Sequence, residues 1–222
     1  MNIVELTERY SVFVLGLFMM ALGIAFCVHA DLGITPISCP PYVLSLGLKP
    51  TVGQFTIAMH AILVLIQVAI LRKDFPKLQY MQLITGFLFG FFIDFAIWLT
   101  NSILLETYMM RMLYVVFGSA ILAVGILFEV TPKVMLIAGE GLMLVLANKW
   151  HKPFGKVKVG FDCTLIFISL IFSLYLFGEI RGVREGTILS AFLVGFFVSL
   201  IQPHLRWLTK WLNRREDGKQ MC

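Results

Sequence analysis

Polar positions along this chain come in short clusters, and between them lie apolar runs of similar length. The runs occupy residues 10–28, 52–71, 79–99, 112–128, 161–177 and 187–201. A helix of about 20 apolar residues crosses a hydrocarbon core about 30 Å thick. The pattern predicts an all-α membrane protein with about six transmembrane helices. Buried helices of a large soluble protein are the competing reading. Composition decides against it, because 14% of the residues are charged where soluble domains have about 25%. Too few polar groups remain to make a water-facing surface.

The chain also repeats itself. A shift of 102 residues carries Gly16, Ala21, Gly23, Ile24, Phe26 and Val28 onto Gly118, Ala123, Gly125, Ile126, Phe128 and Val130. A shift of 105 carries Thr85, Gly86, Phe89 and Gly90 onto Ser190, Ala191, Val194 and Gly195. The insertion that separates the two shifts falls near the basic loop 148–158. The membrane domain, 1–205, thus divides into repeats 10–100 and 111–205, followed by a basic cytoplasmic tail, 206–222. Each repeat holds three spans, and an odd number inverts the second repeat relative to the first. Inverted repeats are a common plan of secondary transporters, whose sites lie near the bilayer midplane where the repeats meet.

Between the first and second span of each repeat lies an apolar segment too short to cross, 32–48 and 134–148. The first has an irregular start through Thr35-Pro36-Ile37-Ser38-Cys39-Pro40-Pro41, then a short helix from 42. The second breaks at Gly139-Glu140-Gly141 and is helical from 142. Pro40 suits a first helical position, and Ser38 or Cys39 a cap. The expected arrangement is a pair of re-entrant hairpins with their tips meeting at mid-depth. Irregular backbone survives there only under cover of protein or beside a water-filled cavity. Interfacial loops, or full spans giving eight helices, are the alternatives.

Charge then fixes the orientation. Of the 18 Lys and Arg residues, Lys49, Arg111, Arg181 and Arg184 fall on one side of the six-span scheme and the rest on the other. The richer side is cytoplasmic by the positive-inside rule, so both termini are expected there. The tail 206–222, with Trp207 and Trp211, reads as an anchor on membrane lipids. The net charge of +5 is explained by these loop charges, so nucleic acid is not an expected partner. The first run lacks a basic flank and a small-residue cleavage site, and is expected to be a span and not a removable signal.

A charge near the bilayer centre costs about 2.5–3.5 kcal/mol on insertion scales, so buried ionisable groups mark candidate sites. Glu140 combines a carboxylate with the second break and is the leading candidate. Thr35, Ser38, Cys39, Gly139 and Gly141 complete the expected substrate site, suited to a small polar or zwitterionic molecule. Asp94 and Glu140 are candidates for proton coupling, although Asp94 also suits a bond to a neighbouring helix. His60 reads as an interior polar group, and Lys158 with Asp162 as an i,i+4 pair. Cys27, Cys39, Cys163 and Cys222 form no metal-ligand spacing or disulfide framework. Signatures of proteases, hydrolases and nucleotide-binding loops are missing. No catalytic residue, metal or cofactor is therefore expected, and the chain does not read as an enzyme.

Ala30-Asp31-Leu32-Gly33-Ile34-Thr35-Pro36, Gly141-Leu142-Met143-Leu144 and Glu185-Gly186-Thr187-Ile188 followed by Gly195 resemble signatures of the YczE/YyaS/YitT-like bacterial membrane proteins. The first departs after Pro36, where that family commonly has Trp-Asp and this chain has Ile37-Ser38, so no role of that acidic position carries over. The resemblance implies the fold and a multi-pass place in the bacterial inner membrane, not a substrate. The functional expectation is a small-molecule transporter, exporter or importer. A substrate-binding subunit of an energised importer, or a non-transporting accessory protein, is the alternative, and a homo-oligomer fits any of them.

Overall fold

The computed structural model describes residues 3–102, 105–205, 207–209, 211–212 and 214. Among the described residues α-helices run in the order α1 (Ile3–Ala30), α2 (Cys39–Gly47), α3 (Val52–Leu71), α4 (Met81–Leu99), α5 (Tyr108–Val130), α6 (Ala138–Trp150), α7 (Phe154–Phe177) and α8 (Glu185–Ile201). Among the described residues, six helices are long and apolar enough to cross a membrane: α1, α3, α4, α5, α7 and α8. The chain is a multi-span membrane protein. The two short helices, of 9 and 13 residues, reach about 14 and 20 Å at 1.5 Å per residue.

Local chemistry accounts for the helix ends. Pro36 opens a single 3-10 turn, Pro36–Ser38, that leads into α2, where prolines fill first-turn positions that need no N–H donor. Ser38 is the N-cap residue of α2 but makes no capping bond to the backbone. Its hydroxyl instead accepts from Thr35 Oγ1 at 3.3 Å. Thr51 and Gln54 form a reciprocal capping box at the start of α3. In the second segment the expected break at Gly139-Glu140-Gly141 is displaced. The irregular stretch is 131–137, and both glycines are already helical in the first turn of α6. The first turn has free N–H groups in any case, so glycine costs less there than in mid-helix.

The core is the crossing of α1 on α5. A Cβ built on Gly16 would lie 2.9 Å from the Gly125 carbonyl oxygen, and one on Gly118 would lie 2.8 Å from that of Gly23. Only glycine permits backbones this close, and the pairing runs antiparallel. Around this axis α4 packs on α1, α8 on α5, α2 on α7, and α6 on α3. α3 and α4 close on one another through Gly53 and Gly90. Their sequence counterparts α7 and α8 make no comparable contact among the described residues.

The described part of the tail docks on the start of α1. Leu208 and Leu212 are buried, buried Arg9 donates to the Leu212 carbonyl at 3.4 Å, and Arg214 pairs with Glu8 at 3.0 Å. Arg206, Lys210, Arg215 and Lys219 of the expected anchor lie outside the described residues.

Candidate functional site

The two short segments touch. A Cβ built on Gly139 would overlap Ile37 Cδ1, the end of a flexible side chain, so the second segment meets the first through this side chain. Beside this contact lies a cavity of about 440 Å³, lined by Thr35 and Ser38 of the first segment and by Ile137 and Glu140 of the second. Thr56 and His60 of α3 and Lys158 and Asp162 of α7 add the remaining polar lining, and Met20, Ile24, Phe89 and Leu122 are among its apolar walls.

Glu140 occupies the third position of α6, where the helix dipole favours a carboxylate. Beneath it lies Glu129, at the end of α5 and 0% exposed. One oxygen of Glu129 accepts the Ile137 backbone N–H at 3.2 Å and so ties the end of α5 to the start of α6. The other oxygen is buried without a hydrogen-bond partner among the described residues, and the Glu140 carboxyl is close enough to act on Glu129 electrostatically. Lys158 Nζ donates to Asp162 Oδ2 at 3.0 Å, and its positive charge also acts on Glu140 across the cavity. His60 is buried and stacked on Phe89 with ring centres 5.7 Å apart. Its Nδ1 faces Gly86 and finds no hydrogen-bond partner among the described residues.

Of the residues expected to form the site, Thr35, Ser38 and Glu140 line the cavity, and Gly139 forms the contact between tips. Cys39 and Gly141 are used otherwise. The Cys39 thiol donates to the Ile34 carbonyl at 3.4 Å and lies 3.8 Å from Thr187 Oγ1 of α8. Gly141 abuts Gln82 of α4 and Gln67 of α3, on the wall of a wider cleft of about 750 Å³. Asp94 lies apart from Glu140: it accepts from Thr51 Oγ1 at 2.6 Å and from the Gly53 N–H at 2.8 Å, at the start of α3.

Sequence reasoning left Glu129, Gln67, Gln82 and Thr56 out of the site. Glu129 stands near a span end, where a carboxylate ordinarily meets water. Its signal was that the chain turns back into an apolar segment directly after it. Gln67 and Gln82 each interrupt an apolar run. Gln67 Nε2 donates to Gln82 Oε1 at 3.0 Å and to the Ala138 carbonyl at 3.1 Å, which fixes α6 against α3 and α4.

No curated protein and no solved structure matches the chain. A family model does match, over residues 7–203, and the chain accordingly belongs to that family, DUF6198, a family of unknown function.

Proposed function

We propose that the chain is a secondary transporter of a small molecule, built from two inverted three-helix repeats with a re-entrant segment in each. The observation that carries this reading is one cavity lined by the tips of both short segments, with the Glu140 carboxyl in its lining. A carboxyl that faces the cavity can exchange a proton for a ligand, which is the minimum a coupled carrier requires.

Exchange of contacts between the halves supports the repeat plan. Gly16 meets Gly125, and their counterparts Gly118 and Gly23 meet each other. Cys39 of the first segment lies by Thr187 of α8, and its counterpart Gly141 lies by Gln82 of α4, the counterpart of Thr187. Each short helix packs on a span of the other repeat, α2 on α7 and α6 on α3. In this reading the repeats rock about the α1–α5 crossing and expose the cavity to each side in turn. Both termini are cytoplasmic, in keeping with the loop charges. Kinship with the YczE/YyaS/YitT-like proteins would place the chain in the bacterial inner membrane.

An untargeted comparison of metabolites inside and outside cells tests the proposal. At least one metabolite should redistribute when the wild type is expressed and not when an equally abundant Glu140→Gln variant is. Identical distributions for wild type, variant and empty cells would refute it.

A further inference from the structure

Two stretches with distinctive sequence, 30–36 and 185–188, pack on one another where α1 ends and α8 begins. The Gly186 N–H donates to the Leu32 carbonyl at 2.8 Å, and Arg184 Nη1 donates to the Asp31 carbonyl at 3.2 Å. Gly33 has a φ of +96°, a conformation that favours glycine, and a Cβ there would overlap Thr187 Oγ1. A Cβ on Gly186 would lie 2.5 Å from the Leu32 carbonyl oxygen. Leu32, Ile34, Cys39 and Thr187 are all buried. The joint is shut, and a glycine on each side lets it shut.

The corresponding joint in the other half of the sequence is parted. Asp31 and its counterpart Lys133 bend the chain in the same way, with φ of 51° and 53°. Their N–H groups donate to Val28 and Val130, each at 3.2 Å. After the bend, residues 134–136 are the counterparts of 32–34. Gln79 and Gln82, where α4 begins, are those of Arg184 and Thr187. All five line the cleft of about 750 Å³. Gln79 Oε1 is buried without a hydrogen-bond partner among the described residues, and Thr85 Oγ1 reaches Met135 Sδ at 4.0 Å. Asp74, Asn148 and Lys149 are exposed residues of the same cleft, on the side that the loop charges assign to the cytoplasm. Leu136 and Leu144 stand both in its wall and in the wall of the cavity that Glu140 lines.

We propose that the joint of Leu32 and Gly33 with Gly186 and Thr187 is the outer gate of the cavity, shut in this structure, and that the parted joint of residues 134–136 with Gln79 and Gln82 is its inner gate. The structure is then the inward-facing form of the carrier. In the outward-facing form the two joints exchange: α4 closes on residues 134–136, and the start of α8 lifts from Leu32. This assignment rests on the transporter reading above and adds to it which contacts admit the ligand from each side. Inverted repeats place corresponding joints on opposite faces, and a site between them is reached through one at a time.

A disulfide tests the gate, because Cys39 Sγ lies 3.8 Å from Thr187 Oγ1 across the shut joint. In the full-length chain Cys27, Cys163 and Cys222 are replaced by Ala, Cys39 is kept, and Thr187→Cys supplies its partner. Ala191→Cys, in the cavity lining, reports access to a membrane-impermeant maleimide, from outside in intact cells and from inside in inverted membrane vesicles. With the 39–187 disulfide reduced, the reporter should react from both sides. Oxidation by copper phenanthroline, with the disulfide verified by peptide mass spectrometry, should abolish reaction from outside and spare reaction from inside. A reductant should restore the outside reaction. Gly186→Ala in the reduced chain should raise it, because the methyl group props the joint open. Outside reaction that is the same with the disulfide formed and reduced, or failure of the disulfide to form, would overturn the outer gate. So would an unchanged outside reaction in Gly186→Ala of normal abundance; where that variant does not fold, the disulfide decides alone. Loss of inside reaction on oxidation would overturn the inner gate. The transporter reading survives such a failure if metabolite redistribution still requires Glu140, and falls with it if it does not.

Discussion

Glu129 at the end of α5 accepts the Ile137 backbone N–H at 3.2 Å, which ties the end of α5 to the start of α6 next to Glu140. The two roles of Glu129 separate by substitution. Glu129→Gln keeps an acceptor for Ile137 and offers an amide donor to Glu140. It should fold with near wild-type stability while losing any Glu140-dependent transport. Glu129→Leu strands the Ile137 N–H and should cost about 1–3 kcal/mol. Thermal unfolding in detergent beside a transport assay distinguishes the two. Equal stability of the Leu variant would mean that the Ile137 bond contributes nothing.

The contact between the tips makes its own prediction. Gly139→Val drives a branched side chain into Ile37, and overpacking of this kind costs about 1–3 kcal/mol. Ile37→Ala in the same chain should restore part of that loss, because contacting residues couple in a double-mutant cycle. Additive effects on the melting temperature would argue that the segments do not touch.

Glycines at the two kinds of helix pair should respond in opposite ways. Gly16→Ala sets a methyl group against the α5 backbone, 2.6 Å from the Glu129 nitrogen, where nothing can give way easily. It should lower stability by about 1–3 kcal/mol. Gly195→Ala meets open space and should stay within about 0.5 kcal/mol of the wild type. Unfolding temperatures of the two variants provide the comparison, and a destabilised Gly195→Ala would mean that α7 and α8 pack together in the membrane.

Asp94 was a candidate for proton coupling, and its geometry suggests a different part. It accepts two bonds at the start of α3, the work of a helix cap, and loss of a cap costs about 1 kcal/mol. Asp94→Asn should be less stable by about that amount and should leave Glu140-dependent transport intact. Loss of transport at unchanged stability would return Asp94 to the coupling machinery.

Much of this architecture was legible because hydrocarbon imposes a length on each apolar run. The run 52–71 coincides with α3, and 79–99 differs from α4 by two residues at one end. The run 161–177 misses the first two turns of α7, which begins at Phe154. Lys156 and Lys158 break the apolar pattern there although the helix continues toward the membrane surface. The segment tips were legible from their paired position in the two halves. What each residue in them does was not. Cys39 and Gly141 are neighbours in sequence of lining residues, but one helical position turns them toward α8 and toward α3 and α4 instead. Glu129 was missed because proximity to a span end says nothing about burial when the chain folds back over it.

Orientation rests on charge and has a direct check. With the native cysteines replaced, Lys49→Cys should react with a membrane-impermeant thiol reagent from outside the cell, and Lys77→Cys and Lys152→Cys should not. The opposite pattern would invert the topology.

Flux through the chain on its own tests the central claim most directly. The metabolite that redistributes in cells should be taken up by liposomes that contain only the purified wild-type chain. Glu140→Gln of equal melting temperature should not transport it. Uptake no greater than that of empty liposomes would contradict the account, and would mean that the cavity serves a binding subunit or a protein with no flux of its own.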